Sequence, residues 1–339
     1  MAEKIPVSQL SVGMFVELPL SWDKHPFIKN RFKLKNPQQI EKIKNCGLKQ
    51  ILVHPELSDV TMPKSAGPTS PAPERDVDSV QDPKEQKPPE KWNPATLAPS
   101  ELLEALNDKR MPSDQKAKAV YQHSRTMMDR LFESPSAENI VTSKKVISSV
   151  TDLVLSDDET AGNLLRITSH DFYTYTHSVN VGVTAIMLSK ELFRHSSGHD
   201  LHELGAGFFL HDLGKIMVDP EVINKPGKLT DEEMAHMRIH PYQGYKILKD
   251  ANALSDECKF VVMQHHEYHD GTGYPKRLKG EEIHRYARIC CIADVFDALT
   301  SERSYKKAMK PFDALKLMQQ QMSEHFDKKL FSEFVLLFK

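Results

Sequence analysis

From residue 101 onward the apolar residues recur at the three-to-four-residue spacing of helices that bury one face. Amphipathic helices are predicted over 114–132 and 136–156. The stretch 171–193 is apolar on several sides (Phe172, Val179, Val181, Val183, Ile186, Leu188) and predicts a central, buried helix. Further helices are expected over 199–211, 230–240, 242–250, 256–266, 286–300, 312–325 and 328–338. In 286–300 the stripe Ile289, Ile292, Ala293, Phe296 and Leu299 has the spacing of a core-facing surface. Most connections are short, whereas 219–229 and 267–285 are long enough to carry function. The pattern is that of a mainly α protein whose C-terminal part is one all-α domain.

The first 57 residues read differently. Short β-prone runs at 5–7, 14–18 and 50–54 flank a helix expected to open at Asn36-Pro37, with Ile40 and Ile43 on its apolar face and Gly47 just past its end. A small α+β accessory domain is expected over 1–57, either structural or serving as a sensing or partner-binding unit. Nine prolines lie from Pro63 to Pro99 among charged and small polar residues. A segment of this kind buries too little surface to offset its ordering entropy, which predicts a flexible Pro-rich linker over 58–100. The all-α domain then occupies 101–339.

Composition narrows the function classes. Of 339 residues, 39% are hydrophobic and 27% charged, and the formal net charge is −2, so no strong field favours a nucleic-acid polymer or a membrane surface. The first ten residues lack the basic start and apolar core of a secretory signal, and no run nears the roughly 18 apolar residues of a membrane span. Four cysteines (Cys46, Cys258, Cys290, Cys291) form no CxxC pair. That argues against a thiolate zinc ribbon or a disulfide framework, and suits a cytoplasmic location. Histidine is the outlier, with 16 in the chain and 12 of them between His170 and His284.

Several of these histidines keep company with carboxylates. His211-Asp212 ends the apolar run 204–210, where neither side chain would be buried cheaply without a partner. An aspartate can offer its two oxygens to two ions, and Gly214 lets the chain turn so that Lys215 lies near. His177 is expected mid-helix, with Val181, Ala185 and Leu188 on its face. His240 precedes Pro241, which favours a helix boundary. His265 and His266 close the helix 256–266, and Asp294 interrupts the core helix 286–300, sharing a face with Asp297. Taken singly, each has an ordinary reading as a core or surface residue. Together, five histidines and two aspartates without thiolate suit iron, manganese, cobalt, nickel or zinc. Seven ligands exceed what one ion uses and point to two ions sharing a carboxylate, about 3.5–4 Å apart in such sites. His236, four residues before His240, mimics a zincin pair but lacks the adjacent glutamate, and is expected to face solvent. In the loop that follows His266, Gly271 and Gly273 permit positive φ and close backbone approach to a ligand, and Tyr274, before Pro275, offers a ring and a hydroxyl.

Along the chain stand, in order, His177-Ser178, His211-Asp212-Leu213-Gly214-Lys215, Lys225-Pro226-Gly227-Lys228-Leu229-Thr230, and His240-Pro241. Then come His265-His266-Glu267 running into Asp270-Gly271-Thr272-Gly273-Tyr274-Pro275, and Asp294 followed by Ala298-Leu299-Thr300-Ser301 and Arg303. Over residues 143–339 this series resembles the HD-GYP family, bacterial HD-superfamily phosphodiesterases that hydrolyse cyclic di-GMP. Residues 1–57 resemble a small domain of unknown function often found before HD-GYP domains, through Pro6-Val7-Ser8-Gln9-Leu10, Gly13-Met14 and the helix-strand segment 35–54.

The resemblance implies an all-α HD-superfamily fold and opening of cyclic di-GMP to linear pGpG, with a second cut to GMP left open. It implies two divalent metal ions, iron or manganese favoured, that activate the attacking water. By the family pattern His177, His211, Asp212 and Asp294 hold one ion, and Asp212 bridges to a second held by His240, His265 and His266. Asp212 and Lys215 are then catalytic, and Lys215, Arg303 and Lys306 contact substrate phosphates. The Gly271, Gly273, Tyr274, Pro275 loop shapes the guanine-side pocket. The local charge agrees, since residues 272–310 hold nine Lys/Arg against five Asp/Glu. Members with three metals place a glutamate one helical turn before the first histidine; here that position is Tyr173, so two ions are expected. Ser304 stands where proline is common, with little consequence expected. Many relatives carrying this N-terminal domain continue beyond the helix ending near Lys339. Three rivals stay open: 3′3′-cyclic GMP-AMP as substrate, a non-catalytic module that binds cyclic dinucleotides or proteins through the loop or the N-terminal domain, and di-iron oxygenase chemistry, which Lys215 and the Gly-Tyr-Pro loop disfavour. A homodimer is also left open.

Overall fold

The computed structural model describes residues 3–18, 31–34, 37–44, 46, 48–59, 91–168, 176–225, 227–301 and 308–338. Arg303, Lys306, Tyr173 and Ser304 lie outside these, as do Asn36, Gly47 and most of the Pro-rich segment. The chain divides into two units, Met1–Glu85 and Gln86–Lys339.

In the first unit, strands β1 (Glu3–Pro6), β2 (Phe15–Glu17), β3 (Arg31–Lys33) and β4 (Gln50–Val53) form an antiparallel sheet in the order β1-β4-β2-β3. Register places Ile5 opposite Ile51 and Val16 opposite Val53, so the two-residue alternation of strands buries all four. Helix α1 (Pro37–Lys44) adds Ile43 to this core, with Ile40 packed at its edge. Strand β3 escapes the sequence pattern because it is three residues long with basic residues at both ends; it takes its place by pairing with β2.

The second unit is helical: α2 (Pro94–Leu97), α3 (Ser100–Asn107), α4 (Ser113–Glu133), α5 (Ala137–Ser156), α6 (Asp158–Thr168), α7 (His177–Phe193), α8 (Leu201–Phe209), α9 (Pro220–Ile223), α10 (Asp231–Met237), α11 (His240–Asp250), α12 (Asp256–Gln264), α13 (Arg285–Thr300), α14 (Pro311–Gln321) and α15 (Lys328–Leu336). One apolar core runs through it, with α7 and α13 buried on nearly every side, as helices without a polar face must be. The fold is the all-α arrangement expected.

The described end of the Pro-rich segment is helical where composition suggests a linker. At the end of the Pro-rich segment Asn93 caps α2 by accepting from the Ala95 and Thr96 amides, Pro94 takes the first helical position, and Leu97 is fully buried. Among the described residues no helix is long and apolar enough to cross a membrane. None of the four cysteines is in a disulfide; Cys258, Cys290 and Cys291 are buried and Cys46 is half-buried.

Candidate metal centre

Five chain segments end or turn at one point. Helix α8 is apolar through Leu204, Ala206, Phe208 and Phe209, and where it stops the chain delivers His211 and Asp212 into the interior. A 3-10 turn, Leu213–Met217, follows and carries Lys215. Gly214 is needed here for close approach rather than for turning: a Cβ would strike the His240 carbonyl and the Gly244 amide, so only glycine lets this turn lie against the start of α11. His240 opens α11 instead of closing the preceding helix, His265 and His266 follow the end of α12, and Asp294 projects from α13. His177, expected mid-helix, is the first residue of α7.

Asp212 stands at the middle. Its Oδ2 lies 3.3 Å from His177 Nε2, 3.5 Å from His211 Nε2 and 2.5 Å from Lys215 Nζ. Its Oδ1 faces the other way, 3.2 Å from His240 Nε2 and 3.8 Å from His265 Nε2. Ligand atoms of His177, His211 and Asp212 lie within 4.8 Å of one another, and so do those of Asp212, His240, His265 and His266. Asp294 lies across both groups, with Oδ1 3.2 Å from His177 Nε2 and Oδ2 3.5 Å from His266 Nδ1. All seven expected ligands therefore meet, divided by one shared carboxylate.

The hydrogen bonds set the protonation of the rings. His211, His240 and His265 each donate from Nδ1 to the carbonyl three residues back, on Phe208, Met237 and Val262 (2.7, 2.9 and 2.8 Å). A carbonyl only accepts, so Nδ1 carries the proton and Nε2 presents a lone pair to the centre. His240 and His265 direct these lone pairs at each other across 3.1 Å. Asp212 Oδ1 is buried and accepts no hydrogen bond. Facing lone pairs beside an orphaned carboxylate oxygen repel unless a cation lies among them, and nitrogen and oxygen donors of this kind fit divalent transition metals.

Electrostatics point the same way. Burial pulls the imidazolium of His211 down to about 4 and that of His240 to about 3, and lowers His265 and His266 as well, leaving neutral rings at pH 7. Burial alone would raise the Asp212 carboxyl, but Lys215 and the surrounding histidines outweigh it and hold it well below the usual carboxylate range. Asp294 is likewise held low against its burial by His177 and His266. His177 is the exception: burial would lower it, yet Asp212, Asp294 and Asp297 together raise it well above its ordinary value.

The loop after α12 braces this ligand set. Glu267 is buried, and its carboxylate accepts from the Lys276 amide at 2.6 Å and the Leu278 amide at 3.0 Å, which ties the far side of the loop to the His265-His266 pair. Tyr274 stacks on His266 with ring centroids 4.6 Å apart, and the Arg238 guanidinium lies 5.2 Å above the tyrosine ring. Gly271 has φ +84°, as a turn glycine should. Gly273 serves differently, since a Cβ there would collide with the backbone of His266, Glu267 and Tyr268. The Tyr274–Pro275 peptide is cis, and Pro275 is exposed. His236, expected to face solvent, is half-buried, and its Nε2 accepts from the Asp219 amide at 3.0 Å, which pins the start of the 219–229 loop. Arg303 and Lys306 fall outside the described residues.

Three contributors had no role in the sequence reading. Asp297 accepts from His177 Nδ1 at 2.7 Å, Glu267 organises the loop, and Arg238 covers Tyr274. The available signal for Asp297 was its place one turn after Asp294 on the same face.

An all-α domain in which a His-Asp pair at a helix end gathers further histidines and an aspartate from neighbouring helices defines a metal-dependent hydrolase of the HD superfamily. Residues 163–330 match the HD domain, and residues 2–145 match a domain of unknown function, DUF3391. A cyclic di-GMP phosphodiesterase of Pseudomonas aeruginosa is 33% identical over 337 residues, covering 99% of this chain and 76% of that protein. A 3′3′-cGAMP-specific phosphodiesterase of Vibrio cholerae is 41% identical over 122 residues, 36% of this chain and 23% of its own length. Among solved structures, an HD-GYP protein from Bdellovibrio bacteriovorus shares the fold with a TM-score of 0.60 at 15% identity, covering 100% of this chain and 99% of that one. The chain belongs to the HD-GYP phosphodiesterase family.

Proposed function

We propose that the chain hydrolyses cyclic di-GMP to linear pGpG at a centre of two divalent ions. His177, His211, Asp212 and Asp294 would hold one ion, and Asp212, His240, His265 and His266 the other. The observation that carries this reading is the Asp212 carboxylate, whose two oxygens face two separate sets of imidazole nitrogens. When bound, such ions lower the pKa of water towards neutrality and withdraw charge from phosphoryl oxygens. Iron or manganese suits the mixed imidazole and carboxylate donors.

The chain's own residues supply the remainder. The Lys215 ammonium, beside Asp212, would neutralise charge that builds on the phosphoryl group in the transition state. Tyr274, stacked on His266 and covered by Arg238, holds that ring in direction and offers an aromatic rim to a guanine base. Arg303 and Lys306 are assigned to the substrate phosphates by their place in the family motif. A second reading, 3′3′-cyclic GMP-AMP as substrate, is supported by the similarity to the Vibrio cholerae enzyme and differs at one base edge.

The test is anaerobic purification, metal counting, and incubation with each dinucleotide while products are followed. About two ions per chain and release of pGpG from cyclic di-GMP are expected. A metal-loaded chain that turned over neither dinucleotide would overturn the enzyme reading, and preference for cyclic GMP-AMP would select the second.

A further inference from the structure

The hydrogen bonds behind His177 continue past Asp297. Asp297 Oδ2 accepts from His177, while its Oδ1 accepts from Asn180 Nδ2 at 2.7 Å and from Ser301 Oγ at 3.0 Å. A carboxylate cannot donate, so Asn180 must turn its NH2 group towards Asp297. Its carbonyl oxygen then points the other way, where it accepts from the Tyr121 hydroxyl at 2.8 Å. Tyr121, Asn180 and Asp297 are 4%, 1% and 3% exposed, so water does not readily replace any of these bonds. Tyr121 projects from α4. That helix lies outside the residues matched to the HD domain and inside those matched to the domain of unknown function.

We infer that Tyr121 is a positioning residue for the metal centre, acting through Asn180 and Asp297 on His177. Its hydroxyl holds Asn180 in the one amide orientation that donates to Asp297, and Asp297 fixes the tautomer and direction of the His177 ring. Without the hydroxyl, the Asn180 carbonyl oxygen loses its donor in a buried place, and turning the amide would set that oxygen against the Asp297 carboxylate. The four side chains make α4 part of the metal centre's support. The segment preceding the HD domain thereby acquires a direct route to the affinity of the ion at His177. The inference rests on reading His177 as a metal ligand, and the experiment separates the two.

The 339-residue chain, stripped of metal, is titrated with Mn(II) by calorimetry as wild type, Tyr121→Phe, Asp297→Asn and the double variant. Tyr121→Phe keeps the ring and its packing, so the metal-free protein should still fold, its melting point lowered by no more than the few degrees that one unpaired buried carbonyl costs. One of two Mn(II) equivalents should bind about tenfold more weakly, the low end of what losing a partner behind a ligand costs, and the other should be unchanged. The double variant should bind like Asp297→Asn alone, because both changes cut one chain of bonds. Wild-type affinity in Tyr121→Phe, an equal loss at both equivalents, or additive losses in the double variant would overturn the role of Tyr121. A wild-type chain that took up no Mn(II), Co(II) or Fe(II) would instead overturn the metal-ligand reading of His177 and the inference with it.

Discussion

The histidine surplus resolves residue by residue. Five of the clustered histidines converge on Asp212, and others hold the surrounding helices together. His199 stacks on Phe193 at 3.7 Å and bonds the Tyr286 hydroxyl at 2.6 Å, His202 pairs with Asp152, and His284 caps α13 by accepting from the Tyr286 amide. Nothing in the residue type separates these classes, since each side chain offers the same ring; only the neighbours differ. His211-Asp212 and His265-His266 were legible as adjacent pairs and His240 by the proline after it, whereas His177 and Asp294 stood out only through the family pattern. Asp297 was not, because its partner His177 lies 120 residues away and is met only through packing of α7 on α13. Two substitutions separate holding metal from using it. Asp212→Ala should lose metal from both groups and abolish turnover, read by metal content and product formation. Lys215→Met should keep its metal content while kcat falls about 10²–10³-fold, the usual cost of one transition-state charge partner.

Elements were legible wherever an apolar stripe ran long enough to show its period. The stripe on α13 marks the buried face, and the structure buries Ile289, Ile292, Ala293 and Phe296 there. A stripe does not say where a helix begins, and that is why His177 and His240, both first residues of their helices, were expected elsewhere. The loop after α12 was recognisable by its glycines, but its two sides are tied together by Glu267, a buried carboxylate that accepts where a regular element would have its ladder. Glu267→Ala should leave two loop amides without partners and cost about 1–3 kcal/mol of stability, measurable by urea unfolding of the metal-free protein. The variant should also show weaker metal retention, because the backbone that carries His266 is no longer tied to the far side of its loop.

At the scale of the whole molecule, the buried ring of histidines makes stability depend on pH. In the metal-free protein His211 titrates at about 4 and His240 at about 3, against 6.5 for an ordinary histidine, and His265 and His266 are also lowered. Below pH 6.5 the unfolded chain binds protons that these four refuse in the fold, so stability falls as pH drops towards 4. His177 works in the opposite sense: its raised value adds stability below 6.5 that fades as pH rises through the folded value. Asp212 and Asp294, held low, lose their contribution only below about 3.8, the ordinary aspartate value. Four lowered rings against one raised ring predict a lower urea midpoint at pH 5 than at pH 7, and an equal or higher midpoint would contradict the assignment. Metal should reinforce the folded state; at 100 times its dissociation constant a bound ion adds about 2.7 kcal/mol, seen as a drop in melting temperature on chelation.

The burial of the thiols has a practical side. Three of the four cysteines sit inside the helical unit, and burial pushes all four thiols up, so none competes for the ions as thiolate. A maleimide dye offered to the folded chain should therefore mark Cys46 alone, as intact-mass analysis would show by a single adduct. The native sequence comes ready for a fluorescent reporter on the small α+β unit, with no cysteine to remove first, and the reporter can be watched while a dinucleotide or a metal is added to the other unit.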